Sequence, residues 1–508
     1  MIQLDGSVTL KDFQDILFDG KKISLSGSLL QRVDESFKFL SHFTENKIIY
    51  GVNTGFGPMA QYKIDEEDKI CLQYNLIRSH AAGMGEELSP LYVKSGMLAR
   101  MNTLSLGHSG IHVSAVELMK EMINREIFPV IYSHGGVGAS GDLVQLAHLA
   151  LALIGEGEVH YIGEKKNANE VFEKEGLTPL KIHLREGLAL MNGTSIMSGI
   201  GIVNLIYAER LFQWSINCSG LINEIMSVYD DHLSETLNAA KKHSGQQQVA
   251  QMMRDFISGS KLTRKREEHL YNGKNQESVF KDKLQEYYSI RCVPQILGPI
   301  YECIENAKKI LIEEVNSAND NPIVDVKSGN VYHGGNFHGD YVAFEMDKLR
   351  IAITKLSMLQ ERQLNYLLNP SLNEMLPAFV NLGKLGLNFG MQGAQFTATS
   401  TTAENQMLSN PMYIHSIPNN KDNQDVVSMG TNAACLTKKV IDNSFEVISI
   451  QLVTLVQAID YLDCLEKLSP RGQEIYHQVR TIIPTFKEDM VLSSYLNEIK
   501  NFLKNREI

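Results

Sequence analysis

Residues 341–370, YVAFEMDKLRIAITKLSMLQERQLNYLLNP, place the strongest constraint on how this 508-residue chain can fold. Met346, Leu349, Ile353 and Leu356 recur at spacings of three and four, the period of a helix with one buried face. Asn369-Pro370 then supplies a stop. LSPLYVKSGMLARMNTLSLG, GIVNLIYAERLFQWSINCSGLINEIMSVYD and SFEVISIQLVTLVQAIDYLDCLEKL read the same way. Strand-like runs are few and short: KIIYGV, EVHYIG, PIVDV and NVYHG. Strands and helices do not alternate, which argues against a doubly wound parallel sheet. The expected fold is mainly α, with a glycine-rich, loop-rich N-terminal portion.

Charge and cysteine usage narrow the function classes. A net charge of −11 argues against nucleic-acid binding, which rests on neutralising phosphates. The one dense basic cluster, KLTRKREEHLYNGK from Lys261, is interrupted by Glu267 and Glu268 and reads as a solvated face. Six cysteines stand singly, with no C-x-x-C pair, as in a reduced cytoplasmic protein. The N-terminus MIQLDGSVTLKDF shows no export signal. LVQLAHLALALI is too short to span a bilayer, and FEVISIQLVTLVQAIDYL is broken by Glu446, Gln451 and Asp460. Both read as buried helices, so no membrane role is expected. His333, His338 and the Asp230-Asp231-His232 run lack metal-ligand spacing, and no metal is expected.

The segment GGVGASGDLVQLAHLALALIGEG from Gly135 admits two chemistries. Gly136 to Gly141 match G-x-G-x-x-G, after an apolar IFPVIY run and before a helix. Against a dinucleotide site stand the missing βαβ pattern and Asp142, a carboxylate where a pyrophosphate would sit. The candidate ribose acids, Glu156 and Glu158, also fall in a loop. The other chemistry uses Ala139-Ser140-Gly141. In a sharply bent chain the Gly141 nitrogen can attack the Ala139 carbonyl carbon, and loss of two waters leaves a ring bearing an alkene. Serine supplies a leaving hydroxyl, glycine lets the backbone fold, and alanine keeps the site uncrowded. Asp142 is expected to cap the following helix and assist proton transfer, and Gly155 to close that helix.

Seven further motifs flank this one: YGVNTGFGPMA from Tyr50, SHAAG from Ser79, LALMNGTS, YYSIRCVPQILG, NDNP, GGNFHGD and DNQDVVSMG. In this order, the eight motifs resemble the aromatic amino acid ammonia-lyase family over about residues 40 to 470. The resemblance implies a fumarase/aspartase-like fold with a long central helical bundle. Residues 1–190 would carry a lid loop and the prosthetic group, and residues 191–508 the bundle, as one continuous catalytic unit. It further implies 4-methylidene-imidazol-5-one formed from Ala139, Ser140 and Gly141, with no metal and no nucleotide. A homotetramer with active sites shared between subunits follows, as does a small aromatic amino acid as substrate.

The resemblance also distributes roles. Tyr50, on a glycine-bearing lid, is the base for the β-proton; a phenol needs nearby cations or dipoles for that task. Arg291 holds the substrate carboxylate, supported by Asn321. Asn192 and Tyr288 flank the prosthetic group. Gly57, Gln285, Phe337 and Asn423 shape the remaining walls. For the substrate ring two positions decide. Ser79-His80 resembles histidine and tyrosine lyases, whereas Gln424 stands where histidine lyases place glutamate. An amide cannot supply the charge an imidazole wants, and the phenol of tyrosine gives His80 a partner. Longer stretches such as VYHGGNFHGDY and MLSNPMYIHSIPNN look like bacterial tyrosine ammonia-lyases of the Bacteroidetes type. Tyrosine ammonia-lyase is therefore the expected activity. Histidine ammonia-lyase, tyrosine 2,3-aminomutase and a catalytically silent helical scaffold remain as alternatives.

Overall fold

The computed structural model describes residues 1–45, 47–271, 278–280 and 283–506. The chain forms two compact units, neither of them a single run of sequence. The first comprises Met1–Ile206, Ala307–Asp347 and Pro411–Lys438; the second comprises Tyr207–Asn306, Lys348–Asn410 and Lys439–Ile508. Helices dominate, the longest being Ser195–Ile225, Val293–Val315, Asp340–Leu368 and Gly430–Leu462. Met346, Leu349, Ile353 and Leu356 are fully buried along the third of these, as their spacing requires. Helix Asp340–Leu368 ends at the expected place: Asn369 breaks it and caps the short helix Pro370–Asn373, its side chain accepting from the Ser371 N–H at 3.0 Å.

In the second unit, buried amides and hydroxyls link the long helices. Gln363 donates to Ser219 at 2.9 Å and accepts from Gln451 at 2.9 Å. Asn405 donates to both Ser357 and Ser444 at 3.2 Å. Each bond satisfies a polar group that would otherwise be stranded among apolar side chains, and the pairing works only in one helix register. Helix Gly430–Leu462 is long and apolar enough to cross a membrane by length and composition, but 78% of its apolar window is buried inside the structure. It has the burial of a core helix.

The basic cluster of the second unit is more engaged than its composition suggested. Arg264 and Arg266 both stand over the Tyr229 ring, at 4.5 and 4.6 Å from its centroid, and Arg266 pairs with Asp231 at 2.7 Å. Residues 272–274 of that cluster lie outside the described residues.

The first unit surrounds short helices with small sheets. Ile2–Leu4 pairs in parallel with Ile23–Leu25, while Met84–Glu87 pairs antiparallel with Tyr132–His134. Phe128–Pro129, Glu158–Tyr161 and Glu164–Asn167 form an antiparallel trio, and Ile323–Asp325 pairs with Asn330–Tyr332. Glu158 thus begins a strand rather than lying in a loop. KIIYGV, in contrast, is not a strand: it winds into turns. The Asn53 side chain causes this locally, donating to the Lys47 carbonyl at 2.7 Å and accepting from the Ile49 N–H at 2.9 Å. Ile49 and Val52 are thereby buried with Leu40, Val324 and Val331.

Candidate active site

A cavity of about 540 Å³ in the first unit gathers most of the residues singled out in the sequence. Tyr50, Gly57, His80, Ser140, Asn192, Asn321, Phe337, Asn423 and Gln424 all line it. Ala139 and Gly141 flank Ser140 in the buried backbone. Gln285, Tyr288 and Arg291 belong to the second unit and are not among the lining residues. There Arg291 donates to the Gln285 side-chain oxygen at 2.6 Å and stands 4.9 Å from the Tyr288 ring centroid.

Backbone shape at Ala139-Ser140-Gly141 is set by contacts that admit only glycine. Gly141 has φ +72°, and a Cβ there would collide with the Gly193 backbone. The Asp142 N–H donates to the Gly193 carbonyl at 2.7 Å, locking the two loops together. Two side-chain amides bracket Ser140. Asn192 Nδ2 donates to its carbonyl oxygen at 3.2 Å, and Gln424 Nε2 donates to its hydroxyl at 3.0 Å. Asn192 Oδ1 is buried without a protein partner.

Asp142 corrects one expectation. It stands at the start of helix Leu143–Leu153, but its carboxylate makes no cap there. Oδ2 instead accepts from the Ile196 and Met197 N–H groups at 2.8 and 2.9 Å, capping the long helix Ser195–Ile225. Oδ1 accepts from the Thr431 hydroxyl at 2.5 Å. Burial raises its pKa to about 6, against the opposing pull of those hydrogen bonds and of the Arg100 charge. Gly155 ends helix Leu143–Leu153 as expected, with φ +80° just beyond the last turn.

Tyr50 lies in a turn, and the Gly57 N–H donates to its phenolic oxygen at 3.0 Å. Gly57 has φ +53°, and a Cβ would press on the Asn420 side chain. His80 closes helix Lys69–His80, with Nδ1 3.0 Å from both the Leu76 carbonyl and the Ser79 hydroxyl. The Ser79 hydroxyl also donates to the Leu76 carbonyl at 3.1 Å, so these three groups form one local hydrogen-bond cluster around Nδ1.

Several supporting residues had no role assigned in the sequence. Arg100 is fully buried and donates to the Asn192 carbonyl at 2.8 Å, the Ala189 carbonyl and the Asn319 side chain. Burial lowers its pKa to about 10. Arg185 and Asp320 form a fully buried pair at 2.9 Å beneath Asn321, whose carbonyl also accepts from Arg185 at 2.9 Å. Asn321 Oδ1 accepts from the Gly334 N–H at 2.8 Å. Gln73, one of the missed residues, sits seven positions before His80, two helical turns away on the same face, a spacing visible in CLQYNLIRSHAAG.

The chain has relatives of known family along nearly its whole length. A family model described as aromatic amino acid lyase matches residues 8–481. The tyrosine 2,3-aminomutase of Myxococcus sp. strain Mx-B0 is 39% identical over 488 residues, covering 95% of this chain and 93% of that protein. The histidine ammonia-lyase of Shouchella clausii strain KSM-K16 is 36% identical over 507 residues, covering 99% and 98%. The solved tyrosine aminomutase of Streptomyces globisporus matches with a TM-score of 0.94 at 33% identity, covering 99% of this chain and 96% of that one. Relatives of this kind are carbon–nitrogen lyases or aminomutases. A glycine-only bend at Gly141 beside Ser140, in a cavity that Tyr50 also lines, joined to similarity along nearly the whole length, leads to one conclusion: this chain belongs to the aromatic amino acid lyase family.

Proposed function

We propose that the protein is a tyrosine ammonia-lyase, eliminating ammonia from L-tyrosine to give trans-4-coumarate. The reading rests chiefly on His80, an imidazole that lines the same cavity as Tyr50 and Ser140. A phenol can donate to or accept from an imidazole nitrogen, so it pairs with either tautomer. Phenylalanine would leave it unpaired at a cost of about 1–3 kcal/mol. Histidine calls for a compensating carboxylate, and position 424 carries a glutamine. The Myxococcus relative's name also specifies tyrosine.

The residues fit 4-methylidene-imidazol-5-one formed from Ala139, Ser140 and Gly141. The Gly141 bend tolerates no Cβ, the Ser140 carbonyl and hydroxyl each have an amide donor, and Asn192 Oδ1 is an unpaired buried acceptor. When formed, the group supplies the electrophile that draws electrons from the substrate amine. The chain's own residues do the rest. Tyr50 takes the β-proton, whose bonding pair becomes the Cα=Cβ bond as nitrogen leaves with its own pair. Asn321 supports the substrate carboxylate, and Phe337, Asn423 and the Gly57 segment enclose the ring.

Gln285, Tyr288 and Arg291 enter this reading through oligomerisation. Tyr288 is 69% exposed, and Phe389, Phe396 and Met407 of the second unit are also exposed apolar side chains. A homotetramer would cover such surface, and neighbouring copies would bring Arg291 to the carboxylate and Tyr288 to the departing amine. Six cysteines outside any disulfide suit a cytoplasmic enzyme.

A second reading, tyrosine 2,3-aminomutase, is favoured by the names of the Myxococcus and Streptomyces relatives. The chemistry would differ only in keeping ammonia in the cavity for readdition at Cβ. Incubation with tyrosine, histidine and phenylalanine separately, with absorbance and chromatographic detection of products, tests both. Coumarate as the dominant product supports the lyase, β-tyrosine supports the aminomutase, and urocanate would overturn the substrate assignment.

A further inference from the structure

Gln73 is fully buried in the middle of helix Lys69–His80 and takes no part in the chemistry described so far. Its Nε2 donates to the Gly51 carbonyl at 3.1 Å, and its Oε1 accepts from the Leu188 N–H at 3.1 Å. Gly51 directly follows Tyr50. Leu188 is the third residue of helix Glu186–Met191, among the first-turn N–H groups that have no partner within their own helix. That helix runs straight into Asn192, the donor to the Ser140 carbonyl.

The approach of these three elements is built around two glycines. Gly51 has φ +74°, and a Cβ on it would press into the Leu188 side chain. A Cβ on Gly187 would meet the Gln73 backbone carbonyl at 2.6 Å and its side chain at 2.9 Å. One amide therefore ties together the turn that carries Tyr50, the helix that carries His80 and the helix that leads to Asn192. The lid is held at its root while the segment beyond it keeps its own local contacts, such as Thr54 with the Gly51 N–H at 3.2 Å.

We infer that Gln73 is a positioning residue, fixing Tyr50 at the distance from the substrate that β-proton removal requires. The inference rests on Tyr50 being the base. Proton transfer is steep in distance, and a misplacement of about 1 Å costs on the order of a hundredfold in rate. Gln73 touches no substrate, so its loss should act on turnover and not on affinity.

Gln73→Met removes the amide at nearly constant volume. With L-tyrosine we expect kcat to fall about a hundredfold and KM to change less than threefold. The decisive readout is the isotope effect with 3,3-dideuterated tyrosine, which should rise in the variant as proton removal becomes the slow step. A purely structural defect lowers the amount of active enzyme and leaves that ratio where it was. Full loss of two waters from residues 139–141, checked by peptide mass, shows that the prosthetic group has formed. Should Gln73→Met fail to fold, Gln73→Glu assayed at a pH high enough to ionise it carries the same test, since the carboxylate keeps an acceptor for Leu188 and has no donor for Gly51. Wild-type kcat and isotope effect in a folded variant would overturn the inference. Absence of turnover in the wild type on all three amino acids would instead refute the proposed function.

Discussion

Gln424 donates its side-chain amide to the hydroxyl of Ser140 at 3.0 Å, across 284 positions of sequence. The residue that separates this chain from a histidine-type pattern thus also touches the serine that loses its hydroxyl in the proposed ring formation. Ser140→Ala removes that leaving group. The peptide containing residues 139–141 should keep its unprocessed mass, and turnover should fall about a thousandfold or more. Mass spectrometry and the coumarate assay on one preparation decide it. A water-depleted mass in the variant would contradict the assignment.

His80→Phe should redirect specificity. Losing the partner for the phenol costs tyrosine roughly 1–3 kcal/mol, or about 5- to 160-fold in kcat/KM, while phenylalanine gains an apolar wall. Paired assays on the two amino acids read the change, and an unaltered ratio would remove His80 from the ring pocket.

Gly141→Ala places a methyl group against the Gly193 backbone at a left-handed φ. We expect about 3 kcal/mol or more of destabilisation and no ring formation, because the bend that brings nitrogen to carbonyl is lost. Chemical denaturation and peptide mass together test it. A stable variant with a normal ring would show that the bend is dispensable.

Asp320→Asn leaves Arg185 buried without its counter-charge. Both side chains have no exposure, so the cost should reach about 3–5 kcal/mol, far above that of a surface pair. The urea midpoint reads it, and a change under about 1 kcal/mol would mean that the backbone carbonyls around Arg185 suffice to hold it.

Glu186 gives stability a pH dependence of definite sign. Its carboxylate is buried, accepting from the His112 and His183 N–H groups at 2.6 Å, and burial raises its pKa to about 7 from 4.5. A raised carboxyl pKa means that the folded state holds the proton longer than the unfolded state. Between about pH 4.5 and 7 this group therefore removes stability as pH rises, by up to about 1.4 kcal/mol per unit. Glu186→Gln should flatten that slope whatever its own absolute stability. Urea midpoints at pH 5 and 7.5 for both proteins make the comparison, and parallel slopes would refute it.

Much of the fold was legible because it depends on local rules. The buried stripe of Met346, Leu349, Ile353 and Leu356 follows from a period, and the stop at Asn369-Pro370 from backbone sterics. Most of the cavity was legible as well, since Tyr50, His80, Ser140, Asn192 and Gln424 sit in motifs whose residue types suit a particular chemistry. KIIYGV misled because its apolar content suited a strand while the Asn53 side chain claimed its backbone groups. Asp142 misled because a carboxylate beside a helix start normally caps that helix, and here a different helix N-terminus lies closer.

The sequence by itself determined the helical character of the chain, the family it resembles and the chemical types gathered for the reaction, because periodicity and ordered motifs are properties of nearby residues. Only the tertiary structure decided that segments 307–347 and 411–438 join the first 206 residues, that Asp142 serves helix Ser195–Ile225, and that Gln73 bridges Gly51 and Leu188. Those facts turn on which buried donor finds which acceptor across hundreds of positions. That pairing is settled by the need to satisfy every polar group in a packed interior, which no local pattern encodes.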